Sequence, residues 1–361
     1  MAILGPATKN ISVTADEMGV SLPKSRTKRK TSLKGLRIVI RVLFVASLVI
    51  GWPLIRIFFK PKVAFAIYGT AKDQKAYYPR WAEKWLKRRG AFPVGIMRYK
   101  DNWGLVVGTA YSVDEFDKDP RLAVEYNSAI HRLIPQVGAI ALAGRLPGWV
   151  AHVTGGAFIP PTVGGDRGTR YAMLKTAYEM AEKLGKPISE ITIAVPGGAG
   201  FIGTKFVRDL ALEFNKVIAY DPHYNQTEVD GNIIKTYDAE LIREADAVLV
   251  LTARGDQVKE IVPYLKPGSI VADDTHPCIT SEVRDLIKAK RAVLWKASLE
   301  KDLVMVPRLP NFNENHIPGC MVEAITVAHT GLAVLGGQRL FVRAADRLGF
   351  KSKLYRHPGD V

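Results

Sequence analysis

The two cysteines of the chain are the first residues to weigh as chemistry, because a thiolate attacks acyl carbons at neutral pH once its charge is stabilised. Cys320 lies in NENHIPGCMVEA, two residues after Pro318. Proline suits the first helical position, where a missing amide proton costs nothing, so the spacing places Cys320 in a first helical turn. Free amides and the helix dipole there stabilise a thiolate. Glu323, three residues on, shares that helix face and is a candidate proton relay. His276 and His316 are candidate acid/base partners. The competing reading is that Cys320 is a small residue filling a core. Two cysteines, Cys278 and Cys320, make neither a disulfide framework nor a zinc set, so no metal is expected.

A nucleophile beside a hydride donor would have a definite use. PGGAGFIG contains Gly198, Gly200 and Gly203 in the pattern G-x-G-x-x-G, after the strand-like ITIAVP and before a helical stretch. In that context the glycines permit a tight turn, a close approach of backbone to pyrophosphate, and close helix–strand packing. Phe201 and Ile202 complete the turn, and Thr252 directly follows the later strand-like run ADAVLVL. Asp221 ends the next strand, KVIAYD, where a carboxylate accepts ribose hydroxyls and repels a 2′-phosphate. NAD(H) is therefore the favoured cofactor. The same glycines fit a short-chain dehydrogenase pattern, with Tyr171 and Lys175 spaced as Tyr-x-x-x-Lys. That pair precedes the turn, whereas those enzymes carry it well after.

Position of these groups depends on the elements around them. Strand-like and helix-like blocks alternate from Val63 to Gly144, and again from Ile191 to Leu294. The expected fold is α/β, a Rossmann-like doubly wound parallel sheet with an N-terminal α/β domain and a C-terminal helical segment. The expected divisions are a basic flexible tail at 1–36, an apolar membrane anchor at 37–60, an N-terminal α/β substrate domain at 61–165, a Rossmann domain with its bridging helix at 166–310, and the helical segment carrying Cys320 at 311–361.

The formal charge of +16 is concentrated: twelve Lys/Arg against Asp16 and Glu17 put +10 of it between Met1 and Lys62. Beside the apolar run of Arg41 to Phe59, that cluster reads as attraction to anionic lipid, not as a nucleic-acid footprint. The uninterrupted apolar part, Val42 to Ile55, is 14 residues, short of the roughly 20 of a spanning helix. A monotopic or re-entrant anchor is favoured over a span, with Trp52 as an interfacial anchor, Pro53 as a kink, and the folded part in the cytosol.

The order of IALAGRLPG, RYAMLKTAYEMAEKLG, ITIAVPGGAGFIG, ADAVLVL, VADDTHP and IPGCMVEA, from about Phe65 to Ala328, resembles the long-chain acyl-[acyl-carrier-protein] reductases that form fatty aldehydes. The resemblance implies Cys320 as acyl acceptor, Glu323 and Tyr171 as site residues, NADP(H) as cofactor, and a long-chain thioester of acyl carrier protein or coenzyme A as substrate. Asp221 departs from that family, which has a basic residue there. KVIAYDPHYN and YLKPGSIV also look like pieces of the D-2-hydroxyacid dehydrogenases, with Arg254 and His329 available for that family's arginine and histidine. An NAD-binding membrane protein without catalysis is the third reading.

Overall fold

The computed structural model describes residues 25–75, 77–275, 278–300, 303–308, 316–331 and 337–356, and the chain divides into two compact units, Met1–Ile40 and Arg41–Val361. Helix α1 covers Ser25–Phe58, so residues 25–36, expected as flexible tail, are helical. In the second unit, Val45, Leu48, Val49 and Trp52 of α1 are buried at helical spacing. Each contributes about 2 kcal/mol of apolar burial, enough to hold this face of the helix on the fold. Trp52 was expected at a lipid interface; instead its Nε1 donates to the carbonyl of Leu133 at 3.2 Å.

The first sheet contains β1 (Val63–Ala66), β2 (Phe92–Tyr99), β3 (Asn102–Gly108), β4 (Ala139–Leu142) and β5 (Thr162–Val163). Helices α2 (Ala71–Gln74), α3 (Glu83–Arg89), α4 (Val113–Lys118), α5 (Arg121–Leu133) and α6 (Leu146–Thr154) connect them. A long helix, α7 (Asp166–Leu184), leads into the second sheet. Its strands are β6 (Thr192–Pro196), β7 (Lys216–Tyr220), β8 (Glu228–Asp230), β9 (Ile233–Thr236), β10 (Ala247–Val250), β11 (Ile270–Asp273) and β12 (Val293–Lys296). Helices α8 (Gly203–Ala211) and α9 (Ser281–Ala289) belong to it. The remaining elements are β13 (Leu299–Glu300), β14 (Leu303–Val306), β15 (His316–Ile317), α10 (Gly319–Thr330), α11 (Gln338–Leu348), β16 (Lys351–Ser352) and β17 (Tyr355–Arg356).

The second sheet runs β17-β12-β11-β10-β6-β7-β9-β8. All pairings from β12 to β9 are parallel. Numbered in chain order from β6, these six strands follow 3-2-1-4-5-6, the doubly wound Rossmann order. The strand sequences TIAVP, KVIAY and AVLV are continuous apolar runs, as strands covered on both faces require. The first sheet, β14-β2-β3-β1-β4-β5, is mixed, with β14 antiparallel on its edge.

Domain boundaries depart from expectation at the C-terminal end. β14 joins the first sheet, and Met321, Val322, Ala324 and Ile325 of α10 and Phe341 of α11 lie in the first domain's core. Residues 311–361 are thus not a separate helical segment among the described residues. The first domain is discontinuous, and α7 serves both domains, with Tyr171 and Ala172 in one core and Met173, Ala177 and Met180 in the other.

Helices α7 and α10 cross at two glycines. A Cβ on Gly168 would lie 2.0 Å from the carbonyl oxygen of Gly319, and one on Gly319 would lie 2.4 Å from Thr169 Cα. Gly185, in the left-handed cap of α7 at φ 64°, faces open space. Gly168→Ala is expected to lose about 3 kcal/mol or more of stability, or to prevent folding. Gly185→Ala should lose only about 1–2 kcal/mol. Paired denaturation curves check the difference.

Candidate functional site

The glycine turn follows directly from β6. The amides of Gly197 and Gly198 donate to the carbonyl of Tyr220, pinning the turn to the end of β7. Gly197 has φ +90°, and a Cβ there would lie 2.6 Å from the Leu251 carbonyl oxygen. Gly198 presses on Ala219, and a Cβ on Gly203 would lie 2.1 Å from the Gly197 carbonyl oxygen. These three positions are closed by protein. Gly200 is different: its Cβ would meet only the Gly197 carbonyl oxygen, at 3.2 Å, and the residue lines a cleft. Among the described residues the amides of Phe201, Ile202 and Gly203 have no acceptor. Free amides at the head of α8, beside a glycine left bare toward the cleft, fit a pyrophosphate.

Asp221 stands at the end of β7 and lines the same cleft. One carboxylate oxygen accepts the amide of Ala199 at 3.1 Å, so this residue braces the glycine turn. The other accepts the His223 amide and lies 2.7 Å from His223 Nδ1. Phe201 and Ile202 line the cleft, and Lys205 stands 4.1 Å over the Phe201 ring. Thr252 lines it too, its hydroxyl donating to the carbonyl of Arg254.

The cleft has a volume of about 2220 Å³ and lies between the carboxyl edges of the two sheets. Its first-domain side is lined by Phe65, Ile67, Phe92, Val94 and Trp149 and, beside them, by the charged Asp73, Asp114, Asp117 and Arg145. Cys320 lines the cleft at the second position of α10. Its placement follows from the glycine crossing, since a Cβ on Gly165 would lie 3.0 Å from Cys320 Cβ.

The thiol's chemistry departs from the expectation. Burial pushes its pKa up to about 12, with the carboxyl charge of Asp274 adding to the rise. The amides of Met321 and Cys320 lower it, but by less than desolvation raises it. The helix start that should activate the thiol is therefore overruled by burial.

The partners expected for Cys320 are placed elsewhere. Glu323 does not line the cleft; its carboxylate accepts from Arg167 Nε and from the Gly168 amide, both at 3.1 Å. It ties α10 to α7. Burial raises its pKa despite the Arg167 charge. Tyr171 is fully buried in the first domain's core and donates to Asp346 at 2.8 Å. Burial first, then Asp346, raises its pKa, which removes it from proton transfer at neutral pH. His276 lies outside the described residues. His329 is near the far end of α10, its ring nitrogens 2.9 Å from Asn102 Nδ2 and 2.8 Å from the Ile325 carbonyl. Arg254 lines the cleft, paired with Asp256.

Sequence reasoning missed Asp274 and Lys296. Both line the cleft, one just after β11 and the other at the end of β12. Burial raises the Asp274 pKa to about 6, with Asp273 adding to the rise and Lys296 opposing it. Lys296 Nζ donates to the Thr275 carbonyl at 3.0 Å and lies 3.8 Å from Asp273. Asp273 is fully consumed locally, accepting from the Thr275 amide and hydroxyl and from the Ile279 amide. The available signal was the doublet Asp273–Asp274 closing the apolar strand SIVADD: one carboxylate caps the turn and the next is left to the cleft.

No protein-family model matches the sequence, and no curated protein matches it. Solved structures with some likeness include a D-isomer specific 2-hydroxyacid dehydrogenase from Xanthobacter autotrophicus Py2, in complex with NADPH and MES. It is 18% identical over 55% of this chain and 100% of its own, with a TM-score of 0.28. D-lactate dehydrogenase with NAD+ from Lactobacillus jensenii is 12% identical over 79% of this chain and 94% of its own, with a TM-score of 0.31. Shikimate 5-dehydrogenase from Listeria monocytogenes, in complex with shikimate and NAD, is 12% identical over 67% and 86%, with a TM-score of 0.31. Scores this low carry no weight for the chemistry, which rests on the chain's own strand order and glycine turn.

Asp274 moves from the ordinary 3.8 to about 6 in the fold, so the folded state holds its proton more tightly than the unfolded chain. Its stabilising contribution is complete below about pH 4 and is lost as pH rises through about 6. The wild type is therefore expected to lose up to about 3 kcal/mol across that window relative to Asp274→Asn. Denaturation midpoints of both proteins over this range check it.

Proposed function

We propose that the protein is an NAD(P)-dependent oxidoreductase that exchanges hydride at a hydroxyl- or carbonyl-bearing carbon, acting as a dehydrogenase of hydroxy or keto acids with apolar side chains. The observation that carries this reading is the Gly200 position: a bare glycine facing the cleft, beside three free amides, at the switch point of a doubly wound sheet. A dinucleotide held there would supply or accept the hydride.

The chain's own residues supply the rest. Asp274, poised near pH 6, donates a proton to the carbonyl oxygen during reduction and is recharged from solvent; in oxidation it removes the hydroxyl proton. Lys296 holds positive charge at the same edge, opposite in sign to a substrate carboxylate. The lobe of Phe65, Ile67 and Trp149 takes apolar substrate surface and excludes water from the reacting carbon. Asp221 favours NAD(H) by repelling a 2′-phosphate, although NADP(H) is the cofactor implied by the acyl reductase resemblance.

The acyl-thioester reading is the second one, and a specific observation keeps it in play: Cys320 lines the same cleft of about 2220 Å³ as Phe65, Ile67, Phe92 and Trp149. As a proposal it requires the substrate or carrier to lower the thiol's pKa on binding, against the rise that burial imposes. Carrier protein or coenzyme A would then deliver the thioester.

Fluorescence titration with NADH and a panel of hydroxy acids, keto acids and long-chain acyl thioesters followed at the nicotinamide absorbance distinguish these. Gly200→Val should abolish dinucleotide binding without unfolding the protein. Asp274→Asn should bind NADH normally and turn over about 10²-fold more slowly. Cys320→Ala should keep its activity on keto acids. Loss of all activity in Cys320→Ala, together with an acyl adduct on the wild-type thiol and aldehyde release, would overturn the dehydrogenase reading in favour of the thioester one. The high thiol pKa also predicts slow modification: iodoacetamide at neutral pH should alkylate Cys320 about 10³-fold more slowly than a free cysteine.

A further inference from the structure

We infer that the second unit docks on an anionic lipid bilayer through the outer face of α1, with this part of the helix lying along the membrane surface and not crossing it. The inference is independent of the chemistry in the cleft. Leu36–Phe58 is long and apolar enough to span by length and composition. Within the second unit, however, the helix from Arg41 to Phe58 has two different faces. Val45, Leu48, Val49 and Trp52 are buried against the fold, and Trp52 is hydrogen-bonded to Leu133. Arg41 is held at the same side, donating to the Arg308 carbonyl at 3.1 Å and lying 5.6 Å over the Tyr77 ring. A span would strip these contacts or drag a charged domain into hydrocarbon.

The opposite face is apolar and bare. Leu43, Ile50, Leu54 and Ile57 recur at intervals of seven, four and three residues, which makes one helical stripe, and Phe58 beside them is 88% exposed. Among the described residues this apolar stripe has no stabilising partner.

A bilayer, and not a second copy, is indicated by the charge that accompanies the stripe in sequence. Arg56 lies within this segment and Lys60 and Lys62 follow it, all three exposed. The chain from Met1 to Lys62 carries twelve Lys/Arg against two acidic residues. Two chains each carrying this charge repel one another, whereas anionic headgroups attract it. Helix α3 and the turn before it add a second patch. Trp81 is 85% exposed and Trp85 is exposed with Arg89 stacked on it at 4.4 Å, while Arg80, Lys84 and Arg88 are exposed around them. Ala82 and Leu86, between these residues, are buried in the same cluster as Val45 and Val49. Exposed tryptophan interleaved with arginine and lysine is the composition of a headgroup-level contact.

Flotation of the full chain with sealed vesicles tests the inference. The protein should float with phosphatidylcholine vesicles containing phosphatidylglycerol and bind pure phosphatidylcholine more weakly. The doubly substituted Leu54→Glu/Ile57→Glu chain should bind about tenfold less, with an unchanged circular-dichroism spectrum and thermal midpoint. Trp81→Ala/Trp85→Ala should weaken binding without touching α1. After reconstitution from detergent, external trypsin should remove the basic tail and digest the folded domain from one side. A tail fragment protected inside vesicles from molecules whose domain is digested would overturn the in-plane arrangement. Equal vesicle binding by the wild type and the Glu variant would overturn the assignment of the face. A concentration-dependent dimer that the Glu variant loses, with no vesicle binding by either, would replace the bilayer with a second copy.

Discussion

The close crossing of α7 and α10 at Gly168 and Gly319 is the constraint on which the cleft depends. The two helices come from segments about 150 residues apart, and neither position has room for a Cβ. Their approach sets where the head of α10 stands relative to the cleft. The buried Arg167–Glu323 pair adds direction at this crossing, with the Gly168 amide donating to the same carboxylate. Replacing one member would leave the other charged and buried, which is costlier than the pair's net worth. Glu323 is thus explained by position, not by proton transfer.

The crossing that places Cys320 in the cleft also buries it, and the two effects act on the thiol in opposite directions. Helix-end amides stabilise a thiolate within the first turn, but desolvation prevails at this half-buried sulfur. Asp274 experiences the same low-dielectric edge with the opposite result for function. Desolvation moves a carboxyl from far below neutrality to about pH 6, where it transfers protons readily. One environment moves the thiol's pKa away from neutrality and the carboxyl's toward it.

Much of the architecture was legible in the chain. The alternation of continuous apolar strands with amphipathic helices specifies an α/β fold, and the turn at Gly198, Gly200 and Gly203 stands where a doubly wound sheet needs it. The distinct duties of those glycines also follow from their positions. What local patterns did not show was the return of residues 303–306 and 316–330 to the first domain. Pairing of β14 with β2 across some 200 residues leaves no trace in local periodicity, because each segment reads the same whichever sheet it joins. Trp52 illustrates the same limit: an indole next to a proline in an apolar run suits either a lipid interface or a packed helix, and the Leu133 carbonyl decides it.

By itself the sequence determined the strand and helix types, the phosphate-binding turn, the concentration of positive charge before Lys62 and the apolar run behind it, since these are properties of neighbouring residues. Tertiary structure alone decided which titratable groups share a cleft and what their protons cost. It carried Glu323 and Tyr171 into packing roles and brought Asp274 and Lys296 to the carboxyl edge of the sheet. The reason is physical: a pKa is set by burial and by charges distant in sequence, and neither is written in spacing.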